Sequence, residues 1–302
     1  MIDKTLAFIR RETLPLALYA LAALVFLPVI SWLWQRTTTE EQLLHAFVVL
    51  VFALGVLIYE KRISLRAVCD FGRGAALLLV GSLLLAVSAA LTGASILVLP
   101  GFVLALASAL VYTFGSGIAR FTAALLGAFS LYVFMALLLP FLDWPMRTLA
   151  AQGSARILGW LGKDAELALT AGREEGPMLL LFANDHPFHV AAECNGFGVL
   201  TASLLLTLLL VLFKKIDLFD KALLLVAAAV CGILFNYLRI IIIVYLAPVV
   251  GLENYFVMHE IVGVITYYGS LLFLWWVISG FGRGEPGADS EQPAAAQPQM
   301  QL

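Results

Sequence analysis

Apolar runs long enough to cross a bilayer recur along this chain, and no other feature limits its fold so tightly. A spanning helix needs about 20 predominantly apolar residues. Eight stretches answer that description: 14–34, 43–59, 75–91, 95–114, 121–142, 196–213, 222–249 and 261–279. The third and fourth are separated only by Thr92, Gly93 and Ala94, and a total of seven or nine is also compatible with the pattern. Lys4, Arg10 and Arg11 precede the first run in the manner of a signal peptide, but the run is too long for a signal core and lacks a clear cleavage site, so it is expected to be retained. Hydrophobic residues make up 62% of the 302-residue chain and charged residues 13%, against about 25% charged in soluble domains. A soluble fold of this size cannot bury so much apolar surface. The expectation is an all-α polytopic membrane protein: one integral-membrane domain over residues 1–283, then a disordered tail over 284–302, rich in Pro, Ala, Gln and Gly.

Orientation follows from the basic residues. With the N-terminus in the cytoplasm, twelve Lys and Arg fall on the cytoplasmic side and five outside, four of them in one long loop, while Arg239 falls within a span. The basic residues form no stripe, so no nucleic acid is expected as partner. Cys69, Cys194 and Cys231 sit at different membrane levels and are expected to be free thiols.

The long outer segment runs from Asp143 to Cys194. Around 146–168 its apolar residues have helical spacing, suited to a helix lying along the interface. Residues 178–182 and 188–192 are short apolar runs flanking Ala183-Asn184-Asp185-His186-Pro187, which is turn chemistry and predicts a small β-hairpin before the cysteine.

Three polar residues meet at one level. Cys194, in Ala192-Glu193-Cys194-Asn195-Gly196, precedes the sixth span; a helix N-terminus favours thiolate, although a cysteine there also serves as a small apolar cap. Arg239 lies 18 residues beyond Lys221, roughly 27 Å along a helix and so near the outer surface of a core about 30 Å thick. An ionisable residue within a span is a functional candidate; the alternative is an arginine that snorkels to the interface. Asn236, three residues earlier, shares its helix face and can orient the guanidinium or simply pack between helices. His259 lies just before the eighth span, and His45 is an equally placed competitor. Thiol, imidazole and guanidinium are the parts needed for acyl transfer from a peptide: nucleophile, proton carrier and oxyanion or carboxylate holder. His186 and His189, with Asp185 and Glu193, match no strong zinc pattern, and neither metal nor cofactor is expected.

The order of these motifs, Cys194-Asn195-Gly196, then Asn236-x-x-Arg239-Ile240, then His259, resembles the exosortase/archaeosortase family. The resemblance covers roughly residues 137–279, including Leu139-Pro140, within an exosortase-like core at about 121–279; the first four spans match only as apolar helices. Many members carry Cys-Ser-Gly or Cys-Thr-Gly in place of Cys-Asn-Gly. The resemblance implies a membrane-embedded cysteine transpeptidase or protease with Cys194, Arg239 and His259 as catalytic set and Asn195 and Asn236 in support. It implies substrates that are secreted proteins ending in a short motif such as Pro-Glu-Pro, an apolar helix and a basic tail. It implies a multi-pass protein of the inner (plasma) membrane, in contact with the lipid bilayer and with its site on the outer, periplasmic or extracellular, side. The alternatives are a polytopic transporter, which would carry charge near mid-bilayer on several helices, and a non-enzymatic assembly protein for envelope polysaccharide, which would need no nucleophile.

The orientation is checked by thiol labelling of intact cells. An impermeant reagent should reach a cysteine introduced by Gly176→Cys and miss one introduced by Asp217→Cys. The reverse pattern would invert the placement of the site.

Overall fold

The computed structural model describes residues 2–63, 65, 67–171, 177–183, 186–251 and 254–280. The expected tail at 284–302 and the turn residues Asn184 and Asp185 lie outside the described residues. Eight helices follow one another: α1 (Ile2–Thr39), α2 (Glu41–Glu60), α3 (Arg73–Thr92), α4 (Val98–Phe114), α5 (Ala119–Trp160), α6 (Phe197–Leu212), α7 (Leu218–Val250) and α8 (Tyr255–Gly280). Among the described residues, seven helices are long and apolar enough to cross a membrane, not the eight expected.

The exception is α6, with 16 residues, or about 24 Å of helix. The apolar run at 196–213 is shortened at its start by Gly196, whose φ of +80° lies outside the helical region, and α6 stops at Leu212, before Lys214. Its shortness has a packing counterpart. Phe197, Ala202, Leu205 and Leu209 are fully buried, and α2, α5, α7 and α8 all pack around α6. A helix sheathed by protein need not match the thickness of the lipid. The remaining helices, α1, α3 and α4, form a flank. It is tied together by Tyr19, whose hydroxyl meets Ser108 Oγ at 2.8 Å, and by Ser108 Oγ donating to the Ala75 carbonyl at 2.7 Å. Thr37 and Tyr132 share a buried 2.6 Å hydroxyl contact that joins α1 to α5.

The segment after Leu142 departs most from expectation. No separate interfacial helix forms. Instead α5 continues through Pro140 and Pro145 to Trp160, 42 residues in all, so at about 63 Å it extends well beyond the hydrocarbon core. Asp143 and Arg147, which read as the start of a loop, are one turn apart and pair at 2.6 Å. The apolar residues of the extension, Ala150, Ala151 and Leu158, are buried against a small sheet rather than against lipid.

That sheet has three antiparallel strands in the order β1 (Ala165–Ala171), β2 (Pro177–Ala183) and β3 (His186–His189). The predicted hairpin is β2 with β3; its second strand starts two residues earlier than expected, with Ala183 paired to His186. Strand β1, whose start falls within the stretch read as helical, pairs with β2 from Ala165↔Ala183 to Ala171↔Pro177. On β2, Leu179, Leu181 and Ala183 are buried, the alternation of a strand with one face covered. Their cluster takes in Ile240 and Val244 of α7 and ends at Cys194.

Close helix contact at the centre depends on Gly232 of α7, where a Cβ would lie 3.1 Å from the Leu200 Cα of α6. Gly232→Val must push these backbones apart, and overpacking of this kind typically costs about 1–3 kcal/mol. The variant should melt at lower temperature in detergent than the parent. An unchanged melting temperature would show that the α6–α7 contact yields freely.

Candidate functional site

Cys194 ends a single 3-10 turn, Ala192–Cys194, between β3 and α6. The Ala192 carbonyl accepts the Asn195 amide at 3.2 Å, and side chains from two other helices reach the three carbonyls of the turn in succession. Gln42 Nε2 of α2 donates to the Ala192 carbonyl at 2.7 Å. Arg239 Nη1 of α7 donates to the Glu193 carbonyl at 3.0 Å, and Asn236 Nδ2, one turn earlier, to the Cys194 carbonyl at 2.8 Å. Asn195 secures the other side. Its Oδ1 accepts the Phe197 amide at 2.7 Å, opening α6, and its Nδ2 donates to Asp143 Oδ1 at 2.7 Å. Gly196 follows from the same crowding: φ is +80°, and a Cβ would come within 2.7 Å of Asn236 Cγ. The Cys-Asn-Gly motif is thus an anchored turn in which each residue has a distinct geometric task.

The structure brings Cys194 and His259 together, with Sγ and Nε2 3.3 Å apart. His259 sits in the first turns of α8, its ring near that of Tyr255 and its Nδ1 3.8 Å from Glu260 Oε1. The Arg239 guanidinium lies across Gly263, where a Cβ would meet Nη2 at 2.8 Å. His45 does not reach the sulfur; it lines a neighbouring cleft and faces the Tyr267 ring at 5.8 Å. His186 and His189 are exposed on β3. Among the described residues, no three His, Cys, Asp or Glu side chains converge as a metal site would require. Cys69 and Cys231 are free thiols elsewhere in the fold.

Electrostatics at Cys194 run against the thiolate expected from a helix N-terminus. The thiol is buried, and that burial raises its pKa; the Arg239 charge opposes the shift, and Glu193 adds to it. Burial thus works against ionisation of the sulfur, and an imidazole lies in contact with it. Two contributors escaped the sequence reading. Gln42 is 150 residues from the carbonyl it holds. Glu260 follows His259 directly, but its proximity to Nδ1 depends on side-chain conformation rather than on spacing.

Beside the turn lies a polar cleft of about 140 Å³, lined by residues from the start of α2, the first half of α8, and α6 and α7. Gln42, Asn236, Arg239 and Tyr267 line it. Further along the same two helices runs an apolar groove of about 520 Å³, lined by residues such as Val49, Phe52, Leu271 and Trp275. Tyr268 borders both.

The charge balance at the thiol has a direct consequence. Alkylation of Cys194 by a small neutral electrophile should rise with pH about a midpoint above the ordinary thiol value of about 8.5. Arg239→Gln removes the charge that lowers the pKa and should move the midpoint higher. A midpoint below the ordinary value would mean a resting thiolate–imidazolium pair and contradict this balance.

Comparison with protein-family models matches residues 32–276 to the transmembrane exosortase family (Exosortase_EpsH), a longer stretch than the sequence motifs alone cover. Comparisons with curated proteins and with solved structures returned no match. The match spans most of the chain and takes in the cysteine turn, Asn236, Arg239 and His259. The chain is a multi-pass membrane protein that belongs to the transmembrane exosortase family.

Proposed function

We propose that this chain is a cysteine transpeptidase or protease that cleaves C-terminal sorting signals of secreted proteins at the outer face of the plasma membrane. The observation that carries the reading is the 3.3 Å contact between Cys194 Sγ and His259 Nε2, beside a guanidinium. In the proposed reaction, His259 Nε2 takes the thiol proton as the sulfur adds to the scissile carbonyl. Arg239 faces the negative charge that develops on the carbonyl oxygen. The tetrahedral adduct collapses to a thioester on Cys194, and the imidazolium returns its proton to the departing amine of the C-terminal fragment. An incoming amine or water then displaces the sulfur, and the thiol is regenerated. Glu260 is suited to hold the imidazole and balance its transient charge. Asn195 and Asn236 keep the turn in place.

The stacking of a polar cleft above an apolar groove supports a substrate with the same division: a polar peptide leading into an apolar membrane segment. Binding of that remote segment would position the scissile bond. The outward placement rests on the distribution of Lys and Arg along the chain.

Single substitutions separate these roles. Cys194→Ala should abolish processing of a protein bearing such a signal, while Cys69→Ala and Cys231→Ala retain most of it. His259→Ala should lose far more activity than His45→Ala, His186→Ala or His189→Ala. Arg239→Lys keeps a cation but not the planar fork. It should accumulate normally and leave Cys194 open to a small electrophile, yet turn over about a hundred- to a thousandfold more slowly. Near-parental turnover by Arg239→Lys would reduce the residue to an anchor for the turn, and normal processing by Cys194→Ala would end the cysteine-enzyme reading.

A further inference from the structure

The polar cleft contains a second feature that the cysteine chemistry does not use. Among the described residues, nine buried side-chain N or O atoms have no hydrogen-bond partner within the protein. Six are Ser or Thr hydroxyls on helices. The other three, Gln42 Oε1, Arg239 Nε and Tyr267 Oη, all line this one cleft. Leaving a buried polar group unpaired costs about 1–3 kcal/mol, so three such atoms on residues around one cleft make it the candidate ligand site.

Their chemistry narrows the ligand. Gln42 Oε1 only accepts, Arg239 Nε only donates, and a tyrosine hydroxyl does both. A peptide main chain in extended form offers amide donors and carbonyl acceptors in alternation. An anionic headgroup offers acceptors alone, and the carboxylates of Glu41, Glu193 and Glu260 around the cleft disfavour it. We propose that the cleft between α2 and α8 is a peptide main-chain subsite, with Gln42 and Tyr267 hydrogen-bonding the substrate backbone next to the bond that Cys194 attacks. The inference rests on the reading of Cys194 as nucleophile and names two positioning residues for it. Because the contacts are to the main chain, they act on any substrate sequence and leave discrimination between sorting motifs to other residues.

Tyr267 is the clean test. Gln42 also holds the Ala192 carbonyl, so changing it disturbs the cysteine turn, whereas Tyr267→Phe removes only a hydroxyl that has no protein partner. Two probes are compared on the full-length protein in detergent, with labelling mapped by mass spectrometry: chloroacetone, and acetyl-tetra-alanyl chloromethyl ketone. Each is attacked by the sulfur, which forms a thioether as chloride leaves and the thiol proton passes to the imidazole. Only the second presents a peptide backbone. In the parent protein the peptidyl probe should label Cys194 faster than chloroacetone and with saturation. Tyr267→Phe should weaken the half-saturating concentration of the peptidyl probe about two- to tenfold, the value of one neutral hydrogen bond. Its chloroacetone rate should not change, and its melting temperature should not fall. Equal behaviour of Tyr267→Phe and parent towards the peptidyl probe overturns the subsite, as does a parent that shows no preference for the peptidyl probe. Failure of both reagents to label Cys194, with Cys69 or Cys231 labelled instead, overturns the nucleophile reading itself and the subsite with it.

Discussion

Three consecutive carbonyl oxygens, those of Ala192, Glu193 and Cys194, carry the constraint on which the rest of the site depends. Backbone that leaves a helix beside the membrane must find hydrogen-bond partners inside the protein, since an unsatisfied group in an apolar environment costs several kcal/mol. Here Gln42, Arg239 and Asn236 each donate to one of them, and the Ala192 carbonyl also accepts the Asn195 amide. The bonds draw α2 and α7 against the start of α6, and the Cys194 sulfur lies against His259 of α8. Arg239 therefore has two tasks available to it. One nitrogen holds the turn, and the remainder of the fork lies over Gly263 beside the cleft.

The packing of the central helices follows from the same demand. Gly198 lets α2 approach α6, since a Cβ there would meet Gln42 Cβ at 3.2 Å, and Gly263 makes room for the guanidinium. Small residues at helix contacts are the usual route to close association where the hydrophobic effect gives no preference between protein and lipid. Around α6 they serve a further purpose, allowing long polar side chains to pass between helices and reach one short turn. The three-stranded sheet and the extended α5 close the other side of that turn through Asp143 and the cluster that ends at Cys194.

How much of this was legible in the sequence depends on the range of each interaction. Bilayer-length runs announce their helices because lipid acts on every residue of the run. Asn236 and Arg239 were legible because a spacing of three puts them on one helix face, and membrane topology delivered Cys194 and His259 to the same level. The extent of α5 was not legible. Pro140, Pro145 and a charged pair look like a helix end locally, and only the sheet they pack against makes the continuation favourable. Strand β1 was missed for a related reason: its pairing with β2 is a tertiary fact. Gln42, at the start of an apolar helix and 150 residues from its partner, carries no local signal at all. The burial of the thiol was hidden too, since proximity to a helix start is readable from sequence and burial is not.

The central claim is that Cys194 forms an acyl bond to its substrate, and trapping that bond tests it most directly. The full-length protein would be mixed with a secreted protein carrying a C-terminal signal, quenched in acid during turnover, and analysed by intact and peptide-level mass spectrometry. The account predicts an adduct on Cys194 equal in mass to the substrate's N-terminal fragment, released by hydroxylamine as a thioester is, and absent from Cys194→Ala. Cleavage of the substrate with no adduct at Cys194, and at the same rate in Cys194→Ala, would contradict it.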